Sequence, residues 1–246
     1  MTVKVLFFGL LKDVVGRSED AAELPDGATM GTLFERYASQ YPRLREMSDS
    51  IALARNHEFT GLDVVLSDGD EVALMPPVSG GSNEASGWLA ETADENGSFY
   101  ALTREPIDSL ALAGRITTGA DGAVITFEGV VRNNSKGRTT KYLDYECYTP
   151  MALKTMRQLG GEIVERHDVH RVAIVHRLGR LEIGEASVSI VVASAHREAS
   201  YEASLEAINR LKKIVPVWKK EYFEDGEVWV EGAWEEAVPR PAGAVT

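Results

Sequence analysis

Within eleven residues the chain places Arg210, Lys212, Lys213, Lys219 and Lys220. A further pair, His196-Arg197, stands where a strand-like run gives way to a helical one. Several cations converging on one place suit a phosphate-bearing ligand, because charge-assisted hydrogen bonds to phosphate oxygens are short and strong. Favourable charge at a helix C-terminus, worth roughly 0.3–1 kcal/mol per cation, is the alternative reading of the same residues. Lys212 differs from its neighbours. Tyr201, Leu205, Ile208 and Lys212 follow at +4, +3 and +4, so the spacing predicts one inward row on a helix from about Ser200 to Lys213. A lysine at the edge of a pocket can give up its proton and serve as base or nucleophile. The second chemical feature is Pro76-Pro77-Val78-Ser79-Gly80-Gly81. The prolines stiffen the exit from a strand, and the two glycines, lacking side chains, can thread a narrow tunnel. A flexible turn has the same composition, so the pair alone decides nothing.

The elements that must position these residues fall into two groups. Val3 to Phe8 reads as a strand ended by Gly9, and Leu10 to Leu24 can turn into a second. Met30, Leu33, Phe34, Tyr37, Ala38 and Tyr41 form one helical face, with Thr29 as cap and Pro42 as stop. Strands are expected at Ile51–Ala54, Val64–Leu66 and Glu71–Met75. Strand, strand, helix and several short strands in about eighty residues is a β-grasp order, an α+β layout. After residue 99, strands are expected at 123–131, 142–148, 171–176 and 188–193. One helix should follow Thr149-Pro150, read as a cap and a first-turn proline, and the other should carry Lys212. This second part is also expected to be α+β, with two helices on a mainly antiparallel sheet. Gly160-Gly161 predicts close packing or a break in the first of those helices.

Composition bounds the partners. The 246 residues carry a net charge of −12, with 44% hydrophobic and 26% charged residues, and no apolar run long enough to span a bilayer. The charge is uneven. Residues 1–81 hold 7 basic and 13 acidic side chains, residues 82–98 hold 4 acidic and no basic ones, and residues 99–246 hold 19 and 21. The acidic, Ser- and Gly-containing stretch 82–98 is therefore expected to be a flexible linker between domains 1–81 and 99–246. Neither a nucleic acid nor an anionic membrane is an expected partner. The single cysteine, Cys147, excludes an intrachain disulfide and fits a reducing cytoplasm. His167 and His170 have ligand-like spacing but no suitable third ligand nearby, so no metal is expected.

Residues 1–81 resemble the small subunit of molybdopterin synthase, a ubiquitin-like sulfur carrier. The resemblance lies in the Phe7-Phe8-Gly9 start, in Leu53-Ala54-Arg55-Asn56, and in Leu66 to Ala73 running into Pro-Pro-Val-Ser-Gly-Gly. It implies that Gly81, reached through Gly80, is adenylated by an activating enzyme and then converted to a thiocarboxylate by a sulfur donor. Residues from about 99 to 236 resemble the large, catalytic subunit. Phe127 to Arg132, Glu146 to Ala152, Val175 to Gly179, Ser194 to Arg197 and Leu211 to Glu221 carry that likeness. It implies that Lys212 and Lys219 are the catalytic lysines, that Arg132, His196 and Arg197 bind substrate phosphate or pterin, and that Phe127 lines the pocket. Two positions depart from the usual pattern: Ile208 where methionine is common, and Gly232-Ala233 where an arginine can occur.

Together the resemblances imply a fused molybdopterin synthase acting on cyclic pyranopterin monophosphate, a homodimer through its catalytic domain. Its sulfur would come from Gly81, so no cofactor is expected. A thiocarboxylate needs a free C-terminus, yet Gly81 is followed by Ser82. Proteolysis between them is therefore expected. An uncleaved scaffold without catalysis and a carrier for another thiolation pathway are the alternatives.

Overall fold

The computed structural model describes residues 1–76 and 87–230. The chain divides into two compact units, and the sequence of each explains its core.

The first unit contains β1 (Thr2–Phe7), α1 (Leu10–Val15), β2 (Glu19–Glu23), α2 (Met30–Gln40), α3 (Pro42–Glu46), β3 (Ala52–Arg55), β4 (Glu58–Phe59) and β5 (Glu71–Met75). Its sheet runs β2-β1-β5-β3-β4, with β1 and β5 parallel in the middle. This is the β-grasp arrangement expected. Strict alternation along β1 buries Val3, Val5 and Phe7, and α2 lays Met30, Leu33, Phe34 and Tyr37 over them. Thr29 and Thr32 cap the helix reciprocally, each hydroxyl accepting from the other's backbone N–H at 3.2 Å. Pro42 both stops α2 and opens α3. Residues 64–66 are a correction, for they form no strand. Val65 makes one isolated bridge to Thr29, and the Val64 and Leu66 backbones hold the helix entrance instead. Arg55 and Asn56 reach Asp70 at 2.7 Å each. Burial works against that carboxylate's charge, but hydrogen bonds from Ser67, Asn56 and Arg55 hold it below the usual range.

The second unit contains β6 (Trp88–Ala93), β7 (Phe99–Thr103), α4 (Ser109–Ile116), β8 (Ala123–Val130), β9 (Asn134–Ser135), β10 (Arg138–Cys147) and α5 (Thr149–His167). It continues with β11 (Arg171–Arg177), β12 (Gly179–Glu182), β13 (Ala186–Ser194), α6 (Arg197–Ile214), β14 (Val217–Phe223) and β15 (Gly226–Val230). The larger sheet is ordered β6-β7-β11-β13-β8 and the second β12-β10-β14-β15. Helices α5 and α6 cover one face of the larger sheet through Met156, Leu159, Ile163, Ala203, Ala207 and Leu211. The short helix α4, not expected from sequence, covers the other through Leu112 and Ile116.

Three expectations are corrected here. Residues 88–93, placed in the flexible linker, are strand β6, paired antiparallel with β7 from Trp88–Thr103 to Ala93–Phe99. The Asn96-Gly97 step between them is a hairpin turn, with Gly97 at φ +90°. Its acidic, small-residue surroundings had suggested a linker. Thr149 is not the helix cap. The cap position is Tyr148, and the Thr149 hydroxyl lies 3.3 Å from the Cys147 sulfur. On α6 the buried row is Ser200, Ala203, Ser204, Ala207, Ile208 and Leu211, while Tyr201 and Leu205 are 62% and 63% exposed. Small residues let the helix approach the sheet closely, and counting only large apolar ones selects the wrong face.

Helix α5 passes Gly160-Gly161 unbroken, and Gly160 supplies close packing: a Cβ there would stand 2.2 Å from Cε1 of Tyr100. Gly160→Ala is expected to cost about 1–3 kcal/mol through overpacking, read as a lowered thermal midpoint. Gly161→Ala, facing open space, should leave the midpoint unchanged or raise it.

Candidate active site

Alternation along β14 decides where its lysines go. Lys219 and Glu221 face the core side of the second sheet, and Lys220 faces away, over the rings of Tyr222 and Trp229 at 5.5 and 5.6 Å. Lys219 keeps 25% of its side chain exposed, and its Nζ sits 2.8 Å from a Glu221 oxygen whose side chain is 5% exposed. Tyr145 on β10 is the direct cross-strand neighbour of Lys219. Its ring meets that of His176 edge-on at 5.2 Å, and burial, with Glu221 nearby, pushes its hydroxyl pKa up, the neighbouring Ser187 hydroxyl acting the other way. Ser187 in turn donates to the Gly129 carbonyl at 2.9 Å. Gly129 is tightly enclosed, since a Cβ there would meet Val188 at 2.8 Å and Phe127 at 3.8 Å. Phe127, Gly129, Ser187 and Tyr145 thus follow one another as neighbours, and the row ends at the partly exposed Lys219.

The strand register shows which expected site residues share this place. At one end of the larger sheet, Val130 pairs with Ala186, and Val131 and Arg132 follow. Arg177, at the end of β11, leads there directly into β12, beside Tyr145 and Lys219. The last turn of α6, with Lys212, feeds β14 at Val217, opposite Cys147. Arg132, Lys212 and Lys219 therefore belong to one end, and Arg132 and Lys212 are exposed. His196 and Arg197 are exposed at the opposite end, beyond the pairing of Ser194 with Ala123. The eight residues of β8 separate the two groups by about 25 Å. One chain does not bring the five cations together. Gly80 and Gly81 lie outside the described residues.

The sequence cluster at 210–220 is dispersed in the same way. Arg210 turns to Glu162 of α5 at 2.5 Å and to Glu206 at 3.5 Å, which assigns it to a helix–helix ion network. His167 joins that network through Glu206 at 2.8 Å, and His170 binds Asp121 at 2.6 Å. Among the described residues no group of three or more His, Cys, Asp or Glu could hold a metal ion. Burial drives the Cys147 thiol up to about 12, so it stays protonated at neutral pH. Sequence reasoning missed Glu221 and Tyr145. Lys219-x-Glu221 on a strand puts both side chains on one face, a signal that was present; the Tyr145 contact needs the register between β10 and β14.

His176 is buried, and desolvation lowers its pKa to about 4 while Nδ1 lies 2.8 Å from the Arg177 carbonyl. The unfolded chain takes up this proton near pH 6.5 and the folded one near 4. The resulting loss of stability is absent above about pH 6.5, grows as pH falls, and levels off near pH 4 at about 3 kcal/mol. His176→Gln should flatten the decline in urea midpoint between pH 7 and pH 4.5.

Comparison with known proteins identifies the family of each part of the chain. Residues 102–214 match the MoaE protein family and residues 5–81 match the ThiS family. The molybdopterin synthase catalytic subunit of Halalkalibacterium halodurans is 48% identical over 145 residues, covering 59% of this chain and 92% of that protein. The Bacillus subtilis catalytic subunit is 46% identical over 131 residues, 53% of this chain and 83% of that protein. Among solved structures, molybdopterin synthase from Staphylococcus aureus superposes with a TM-score of 0.52 at 44% identity, covering 53% of this chain and 96% of that one. The chain belongs to the molybdopterin synthase catalytic-subunit family, and it carries that subunit fused behind a ThiS-family domain, small and large subunits in one polypeptide.

Proposed function

We propose that the chain makes the molybdopterin dithiolene by passing sulfur from a Gly81 thiocarboxylate to cyclic pyranopterin monophosphate. The observation that carries this reading is Lys219, half-sheltered beside the Phe127–Tyr145 row and ion-paired to a buried carboxylate. In such a site Lys219 and Lys212 hold and move protons as the cyclic phosphate opens, and Arg132 neutralises the phosphate. The thiocarboxylate sulfur bonds to a substrate carbon, joining Gly81 to the substrate as a thioester; water then cleaves the acyl C–S bond, leaving the sulfur on the substrate and returning the Gly81 carboxylate for renewed activation. The separation of His196 and Arg197 from the lysine end supports a homodimer, in which a second copy supplies that pair.

The fusion is reconciled with this chemistry by cleavage at Gly81–Ser82. The tether is shorter than composition suggested, because Gly87 is already fixed, its carbonyl accepting from the Thr103 hydroxyl at 2.9 Å. Thr103 pairs with Arg177, so the chain enters the second unit at the lysine end. Six residues, 82–87, reach at most about 20 Å. Intact-mass analysis of protein made with its activating enzyme and sulfur donor should show a fragment ending at Gly81, with dithiolene formation. Full-length protein alone that is active overturns the cleavage; full-length protein alone that is inactive favours the scaffold reading.

A further inference from the structure

The second oxygen of Glu221 is the feature that the reaction leaves unused. Oε1 holds the Lys219 ammonium at 2.8 Å, while Oε2 is buried without a hydrogen-bond partner among the described residues. If Lys219 turns to an anionic substrate, this carboxylate loses the ammonium that holds its Oε1. A buried carboxylate stripped of its partner is strongly unfavourable, so holding Lys219 in place competes with using it. A replacement donor would remove the conflict.

Strand register supplies one. Tyr145 stands directly across from Lys219, and Leu143 directly across from Glu221. Tyr145 is therefore the diagonal neighbour of Glu221 on the same sheet face, a separation that an aromatic side chain can bridge. Its hydroxyl feels the Glu221 charge and neighbours Ser187. Ser187 commits its own proton to the Gly129 carbonyl at 2.9 Å, so it does not depend on the Tyr145 O–H. Turning that O–H away leaves Ser187 with its bond to Gly129 intact. His176, edge-on against the ring, restricts the ring without restricting rotation of the hydroxyl proton.

We propose that Tyr145 is a positioning residue that releases Lys219: its hydroxyl turns to Glu221 as the lysine leaves Glu221 for the substrate. The inference rests on the proposed role of Lys219. No covalent bond forms or breaks in this step; one hydrogen bond is exchanged for another.

The test is a double-mutant cycle on protein expressed from the full-length gene with its activating enzyme and a sulfur donor, so that Gly81 is freed and sulfurated, and then given cyclic pyranopterin monophosphate. Tyr145→Phe keeps the ring and removes the donor. It should lower kcat about tenfold, equivalent to about 1.4 kcal/mol, with KM unchanged and the thermal midpoint close to that of the parent. In a Glu221→Gln background no carboxylate remains to be compensated, so adding Tyr145→Phe should cost no further rate. An unchanged kcat in Tyr145→Phe overturns the inference, as do effects of the two substitutions that multiply. Full activity in Lys219→Ala would instead overturn the reading beneath it, whatever the cycle gives.

Discussion

Lys219→Ala is expected to reduce dithiolene formation by at least 10²-fold and, separately, to destabilise the fold. The rate loss follows from removing a positioned proton-transfer and anion-binding group, effects that commonly amount to 10²–10⁴-fold. The stability loss follows from what remains. Glu221 is 5% exposed with its second oxygen already unpartnered, and deleting the ammonium leaves the whole carboxylate uncompensated. Breaking a buried pair from one side costs about 3–5 kcal/mol, and the partial exposure of Lys219 puts the expected loss at or below the lower end. The two effects separate in Lys219→Ala/Glu221→Gln. Neutralising the stranded acid should recover much of the thermal midpoint but none of the rate. A double variant that regains activity would show that Lys219 serves only the packing of its sheet.

Mixing two inactive chains should restore activity. A chain with His196→Ala and Arg197→Ala keeps its lysine end, and a chain with Lys212→Ala keeps its His-Arg end. If a twofold partner supplies His196 and Arg197, a mixed pair contains one intact site and one site defective in both groups. Random pairing makes half the dimers mixed, so about one quarter of wild-type sites should reappear. The same mixture of Lys212→Ala and Lys219→Ala chains should stay inactive, because both lysines lie at one end of one copy. The effect is large because the distance it tests is large. About 25 Å of β8 lies between the two groups, and no side-chain movement spans that. Complementation that fails, with both single chains folded and dimeric, would place the substrate entirely within one chain.

Much of the fold was legible because its signals are local. The α2 face from Met30 to Tyr41, the alternation of β1 and the glycine-proline punctuation around β5 are set by neighbours in sequence. The hairpin formed by β6 and β7 was misassigned although its Asn96-Gly97 turn is equally local, because small and acidic residues masked the strand before it. Helix α6 was assigned correctly, yet its buried face was not. The sheet selects Ala203, Ala207 and Ser204 for closeness of approach, a criterion that hydrophobicity does not report.

The sequence by itself determined the residue types available: a glycine pair ending a carrier-like domain, and lysines, arginines and a histidine suited to a phosphorylated substrate. Those depend on composition and short spacing, which a linear chain displays directly. Only the tertiary structure decided how they are grouped. It sent Arg210 to a helix–helix ion network and Lys220 to an outer aromatic face, put Lys219 and Glu221 against Tyr145, and set His196 and Arg197 at the far end of the sheet. Strand register and helix direction made that division, since residues adjacent in sequence point to opposite faces of a strand and residues far apart meet across it.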